Sequence, residues 1–261
     1  MTRLRREPPA FRRVAVRRVE RLTPRMVRVT LAGDELAGLT VEQPAASVRM
    51  LLPSPGSAGL VVPQWNGNEF LLPDGHRPAI RTFTPWRVDP DALELDVGIV
   101  VHGGGVASEW VQSARPDDPA AISGPGRGYR VEGNAPMFLV AGDETALPAI
   151  TQVLESLPTD APVQVCVEIA HADGRLELPA HAGASVEWCL LAPEAVPGEA
   201  LGGAVRAAEL AADARVWVAG EAAGVQRIRR HLFEERGIPR AQTAVRGYWK
   251  HGRAGDGGDG E

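Results

Sequence analysis

Four short stretches carry residues whose types and spacing could do chemistry. RTFTPW, residues 81–86, sets a cation, an aromatic ring and two hydroxyls within six positions. In an extended strand side chains alternate faces, so Arg81 and Phe83 point one way and Thr82 and Thr84 the other. A guanidinium binds phosphate bidentately, an aromatic face offers stacking, and a hydroxyl both donates and accepts. Pro85 donates no backbone hydrogen bond, so strand pairing is expected to weaken or end there. Taken alone, the stretch also reads as an edge strand with one solvated arginine.

The other three stretches are loops. HGGGVASEW, residues 102–110, is a glycine-rich loop running into a helix after the strand LDVGIVV. Glycines let a backbone approach a ligand closely, and a helix start offers N–H groups and a positive dipole end to phosphate. Ser108 is the expected helix cap, with Glu109 in the first turn. SGPGRGY, residues 123–129, is a second such loop, with Arg127 and Arg130 able to reach an anion. A flexible turn accounts for either loop equally well. AGDETALPA, residues 141–149, follows a strand and opens a helix but lacks GxGxxG, so the three-glycine dinucleotide fingerprint is absent. Asp143, Thr145 and Glu221 fall at carboxyl ends of strands, where an open α/β sheet takes its ligand, although helix capping explains Asp143 and Thr145 as well.

The elements that must position these residues change character along the chain. FRRVAVRRVERL, PRMVRVTLAG, SVRMLLP, HRPAIRTFTP, ALELDVGIVV and PAAISGP are short strands punctuated by Pro and Gly, the spacing of an antiparallel sandwich or barrel. One helix interrupts them near ASEWVQSA. After about Val131 the apolar strands MFLVAG, VQVCVEIA, SVEWCLLA and RVWVAG alternate with helical ETALPAITQVLESL, GGAVRAAELAA and GVQRIRRHLFEERG, which indicates a doubly wound parallel sheet. The architecture is therefore a β barrel followed by an α/β layer, with the boundary at residues 131–135. Residues 253–261, RAGDGGDGE, read as a disordered tail.

Composition narrows the function. The 261 residues are 44% hydrophobic, as in an ordinary globular protein. No run has the length of a membrane span, and the basic start lacks the apolar core of a secretory signal. The net charge of -5 divides into +3 over residues 1–130 and -8 over residues 131–261. Arg12, Arg13, Arg17, Arg18 and Arg21 read as the solvent face of a strand pair rather than a nucleic-acid footprint. Cys166 and Cys189 sit far apart inside apolar runs and are expected as buried free thiols in a cytosolic protein. No His, Cys, Asp and Glu cluster has metal-ligand spacing.

RTFTPW, VVHGGGVASEW, ISGPGRGY, AGDETALPAI, VAGEAAGVQRIRRHL and GYWKHG stand in an order and spacing that resembles the siderophore-interacting protein family, FAD-dependent ferric-siderophore reductases related to the ferredoxin reductases. The resemblance runs over about residues 12–252. It implies an antiparallel FAD-binding barrel over residues 12–131 and a Rossmann-like NAD(P)-binding domain over residues 135–252. Arg81 would then contact the FAD phosphates, Phe83 would pack against the flavin, and Thr84 would hydrogen-bond near its redox-active edge, with Thr82 on the same strand. Gly105, Val106, Ala107 and Ser108 match the segment that holds the pyrophosphate. His102 falls on the adenine or ribose side, a histidine capping the strand being an equal alternative. Asp143, Thr145 and Ala146 fall in the NAD(P) domain, and Trp249 with Tyr248 belongs to a segment near the flavin. Arg49, Arg127, Arg130 and Lys250 map to a basic cluster for an anionic ferric chelate. Trp86 and Val106 depart from the family pattern, which usually has Arg and Pro there.

The implied function is reduction of ferric siderophore to the ferrous complex, releasing iron in the cytoplasm, with electrons from NADH, NADPH or a ferredoxin-like donor. The iron arrives inside its chelator and meets no protein ligand, and no side chain is assigned a catalytic role. A monomer is expected, with no nucleic-acid or membrane partner. The residues also allow an NAD(P)H-flavin reductase module serving another acceptor, or a non-enzymatic flavin- or siderophore-binding protein.

Overall fold

The structure, a computed structural model, describes residues 8–53 and 59–252; the tail expected at 253–261 lies outside the described residues. The chain divides into two compact units: residues 8–21 with Val27–Gly128, and Leu22–Met26 with residues 129–252.

The first unit contains β1 (Arg12–Arg21), β2 (Met26–Ala32), β3 (Val48–Leu52), a two-rung ribbon of β4 (Gln64–Trp65) and β5 (Phe70–Leu71), then β6 (Ala79–Phe83), β7 (Pro85–Asp89), β8 (Glu94–Val100), α1 (Val106–Ser113) and β9 (Pro119–Ser123). Seven of these strands form one sheet in the order β6-β3-β9-β1-β2-β8-β7. The pairs β1–β2, β1–β9, β3–β9, β3–β6 and β7–β8 are antiparallel. The two edge strands, β6 and β7, are separated in sequence by Thr84 alone. Edges that far apart in the sheet order can be one residue apart in the chain only if the sheet rolls up, so covalent continuity at Thr84 closes the barrel.

Alternation builds the barrel interior. In β8, Leu95, Val97 and Ile99 are buried while their neighbours are half-buried. They join Val14, Val29, Leu31, Val48, Met50 and Ile122 in one core cluster. From α1, Val111 joins the same cluster, with Val106, Ala107 and Trp110 packed against it.

The second unit runs β10 (Phe138–Asp143), α2 (Leu147–Ser156), β11 (Val163–Ile169), β12 (Ala184–Leu190), α3 (Glu199–Ala207), β13 (Arg215–Glu221), α4 (Ala222–Arg230) and β14 (Thr243–Trp249). Its five strands lie parallel in the order β12-β11-β10-β13-β14. The order reverses between β10 and β13, the switch point of a doubly wound sheet. All six residues of β10 are buried, as expected of a strand covered on both faces. Leu139, Ala141, Cys166, Val216 and Val218 pack with α3 and α4 in one cluster. Both cysteines are free and buried, and burial pushes their thiols up, to about 12 for Cys166 and about 11 for Cys189.

Three differences from the sequence reading have physical causes. Pairing with β3 ends after Phe83, but Pro85 opens β7 instead of ending the strand, because the chain passes there to a different partner, β8. The helix expected through residue 237 changes at His231 into a π turn, His231–Glu235. There the His231 ring bridges Glu235 (2.7 Å) and Arg236 (3.0 Å), and these contacts favour the wider turn. Strand β14 was not expected: TAVRGYW mixes Gly and Arg with apolar residues, and no alternation marks it.

Candidate functional site

In the first unit, β8 delivers the chain to the loop 101–105 and then to α1. Gly104 and Gly105 have φ of 118° and 93°, a region that favours glycine. A side chain built on Gly103 or Gly104 would meet nothing within 4 Å, so this backbone faces open space. Gly105, not Ser108, is the cap of α1, and no side chain hydrogen-bonds to its first turn. The helix begins two residues before the expected cap because Gly105 makes the turn. Ser108 does other work: its buried Oγ accepts from the His102 N–H (2.9 Å) and donates to the His102 carbonyl (2.7 Å), pinning the loop to the helix. The His102 side chain is exposed, with its ring 3.4 Å from the position of a Cβ on Gly105.

Arg81 and Phe83 lie opposite Met50 and Val48 of β3, whereas Thr82 lies opposite Arg49. The Arg81–Phe83 face is therefore the one that meets the barrel core, and Phe83, half-buried, packs against the same cluster as Val106, Ala107 and Trp110. Arg81 is half-buried and donates to the Ile80 carbonyl at 2.8 Å. Thr84, in the break between β6 and β7, is buried. Arg49 is half-buried on the opposite face, between exposed Thr82 and buried Ser123.

The second glycine loop turns out differently. A Cβ on Gly126 would lie 2.6 Å from the Ser47 hydroxyl, and one on Gly128 2.4 Å from the Gln43 side chain. These glycines let the loop pack on segment 43–48, with the Gly126 N–H donating to the Ser47 carbonyl at 2.6 Å. Arg127 is exposed beside them. Two clefts of about 430 and 320 Å³ flank Arg12, one beside residues 34–37 and one beside residues 38–46 and this loop; none of the expected site residues lines them.

In the second unit, Asp143 ends β10 and is almost completely buried, at 7% exposure. Its Oδ1 accepts from the Thr145 N–H (2.9 Å) and hydroxyl (2.5 Å), and its Oδ2 from the Glu221 N–H (2.8 Å) and the Trp249 indole (2.8 Å). Each oxygen thus has two protein donors, so the carboxylate ties β10, β13 and β14 together and has no lone pair left for a cofactor. Gly220 permits this: a Cβ there would lie 2.6 Å from Oδ2. Burial holds the Asp143 carboxyl above the usual carboxylate range. Ala146 is buried behind it, and Thr145 is half-buried. Glu144, paired with Arg25 at 3.4 Å, is likewise raised by burial. Lys250 is exposed just beyond β14, and Arg130 is exposed in the segment before β10.

Residues 15–129 match the profile described as siderophore-interacting FAD-binding domain, and residues 135–252 the one described as siderophore-interacting protein. The chain belongs to the siderophore-interacting protein family. A crystal structure of a siderophore utilization protein from T. fusca is similar at 35% identity and a TM-score of 0.84, covering 95% of this chain and 96% of that one. The NADPH-dependent ferric-chelate reductase of Escherichia coli is 30% identical over 92% of each chain. The ferric vibriobactin reductase ViuB of Vibrio cholerae is 28% identical over 87% of this chain and 85% of its own.

For a siderophore-interacting protein the first unit has what FAD requires. The open, positive-φ glycine backbone and the uncapped start of α1 form a cradle that any side chain would fill, and Phe83 and α1 pack on one core cluster. Among the described residues no group of three or more His, Cys, Asp or Glu could hold a metal ion, and no helix is long and apolar enough to cross a membrane. Sequence reasoning missed Glu168, buried one residue before the end of β11, where it accepts from the N–H groups of Gly198 (2.7 Å) and Leu201 (2.9 Å). The signal was present: MFLVAGD, VQVCVEI and RVWVAGE are three apolar strands that each carry one acid at or next to their carboxyl end.

Proposed function

We propose that this protein reduces a ferric siderophore to its ferrous complex, using bound FAD, and so releases iron in the cytoplasm. The observation that carries the reading is the loop 102–108, where an open glycine backbone meets a helix start that no side chain caps. When bound, FAD supplies a ring that accepts two electrons from a donor and passes them on singly, as reduction of a ferric centre requires. The chain's own part is to bind and orient. The N–H groups of Val106, Ala107 and Ser108 hold the pyrophosphate at the positive end of α1, and the Arg81 guanidinium adds a second, bidentate anchor. Phe83 would support the ring, and Thr84 would supply a hydroxyl near its reactive edge.

The substrate is a bulky anionic chelate, which cations recognise at its periphery. Arg49, Arg127, Arg130 and Lys250 are proposed for that role, and Lys250 is the one lysine in the sequence. The names of the Escherichia coli and Vibrio cholerae relatives support a ferric-chelate substrate, and the former also supports NADPH as donor. NADH and a ferredoxin-like protein complete the set of donors to be compared, and Thr145 and Ala146 are proposed as nicotinamide-cofactor neighbours.

The test is an anaerobic absorbance series on the purified protein. The flavin bands should bleach on adding NADPH or a reduced ferredoxin-like donor and return on adding a ferric siderophore, with a ferrous-specific dye capturing the product. A protein that bleaches but recovers its colour only with oxygen, whatever ferric chelate is offered, would contradict the substrate assignment.

A further inference from the structure

The middle three strands of the parallel sheet, β11, β10 and β13, each carry a buried acid at or one residue before their carboxyl end, and each acid hydrogen-bonds to backbone N–H groups of a turn or helix start at that edge. Glu168 accepts from Gly198 and Leu201 at the start of α3. Asp143 accepts from Thr145 in the turn before α2. Glu221 caps α4 through Gly224 at 2.7 Å and accepts from the His251 N–H at 3.1 Å with its other oxygen. Asp143 and Glu168 are register partners, so two of these carboxylates stand side by side. Their exposures, 4% for Glu168, 7% for Asp143 and 5% for Glu221, show that all three are part of the packed interior.

This edge, at the switch point between β10 and β13, is where a doubly wound sheet receives a nucleotide. What attracts a diphosphate there is a set of N–H donors lacking acceptors together with the positive end of a helix dipole. Here both attractions are already met from within the chain. The N–H groups have carboxylate acceptors, and each of the two dipole ends faces a negative charge. A diphosphate arriving at the start of α3 or α4 would meet like charge in place of a donor.

We infer that Glu168 and Glu221 are specificity-determining residues of the second unit: by occupying the starts of α3 and α4 they keep a nicotinamide dinucleotide weakly held. The dinucleotide is then a transient co-substrate whose diphosphate finds the starts of α3 and α4 taken, and the unit does not favour it strongly over donors that lack one. The inference rests on the NAD(P)H reading above and deepens it.

The experiment uses the FAD-loaded protein and its Glu168→Gln, Glu221→Gln and Glu221→Ser variants. Glutamine removes the charge while keeping one acceptor, and serine keeps a neutral cap. Calorimetric titration with NADP⁺ and NAD⁺ at low and high salt reads affinity without turnover, and the melting temperature confirms that each variant is folded. The account predicts binding several-fold tighter in the neutral variants, the gain shrinking as salt rises. Binding by a variant where the parent shows none would support it equally. Folded variants whose affinity equals or falls below that of the parent would overturn the inference while leaving the NADPH reading intact. If neither parent nor variants bind a dinucleotide, and NADPH fails to bleach the parent's flavin, both the inference and the NADPH reading fail.

Discussion

At the residue scale, Asp143 shows how a buried carboxylate is made necessary by its neighbours. Both oxygens accept two hydrogen bonds, so an amide in its place must aim an N–H₂ group at two donors. Asp143→Asn is expected to cost about 1–3 kcal/mol, the penalty for buried donors left without acceptors, read by urea denaturation. The same residue carries a pH prediction. Burial raises Asp143, Glu144 and Glu168 above their unfolded values, so the folded chain binds more protons than the unfolded one in the interval between them. Their contribution to stability is therefore full below pH 4 and lost as pH rises through the raised values. Denaturation midpoints should show this part of stability increasing as pH falls through the raised values toward the ordinary carboxylate range, and Glu168→Gln should flatten the slope. For ligand binding, Arg81→Ala should lose FAD on purification, seen as a fall in the 450 nm to 280 nm absorbance ratio. Lys250→Ala should keep FAD and raise KM for an anionic ferric chelate with kcat little changed. Alternation placed Arg81 and Phe83 on one face, their part in FAD binding being implied only by the family resemblance, whereas the hydrogen bonding of Asp143 was not legible, because its partners Glu221 and Trp249 lie 78 and 106 residues away.

At the element scale, the loop 102–108 and α1 act as one piece. Gly104 holds a φ of 118° with open space around it, so Gly104→Ala adds strain without a clash. A destabilisation of about 1 kcal/mol or more is expected from the backbone alone, together with weaker FAD binding because the methyl enters the cradle. Ser108→Ala should free the loop from the helix and speed FAD release, measurable as flavin fluorescence after dilution. Sequence patterns revealed most of the strands, since one buried face or two imposes a period that survives in the residue types. They did not reveal the short β4–β5 ribbon, whose rungs are Trp65 with Phe70 and Gln64 with Leu71, because two residues carry no period. They left the loop 123–129 open between an anion loop and a plain turn, and its glycines serve close packing on Ser47 and Gln43; glycine in a sequence does not say whether ligand or chain will approach it.

At the scale of the whole molecule, a rolled antiparallel sheet and a doubly wound parallel sheet divide the work. The first unit closes through Thr84 and presents an unfilled helix start; the second covers the starts of α3 and α4 with Glu168 and Glu221. Similar backbone chemistry is thus proposed to take a phosphate at the start of α1 and to turn one away at the starts of α3 and α4. The change of period near residue 131 made two architectures legible in the sequence, but the order of strands was not, because it depends on pairings between distant segments such as β1 with β9. The central claim is that the FAD diphosphate rests on the cradle of the first unit. A crystal structure of the FAD-loaded protein tests it most directly. The account predicts diphosphate density within hydrogen-bonding distance of the N–H groups of residues 106–108, with the Arg81 guanidinium on the same group and the ring against Phe83. Density for the diphosphate in the clefts beside Arg12, or at the carboxyl ends of β10 and β13, would contradict it.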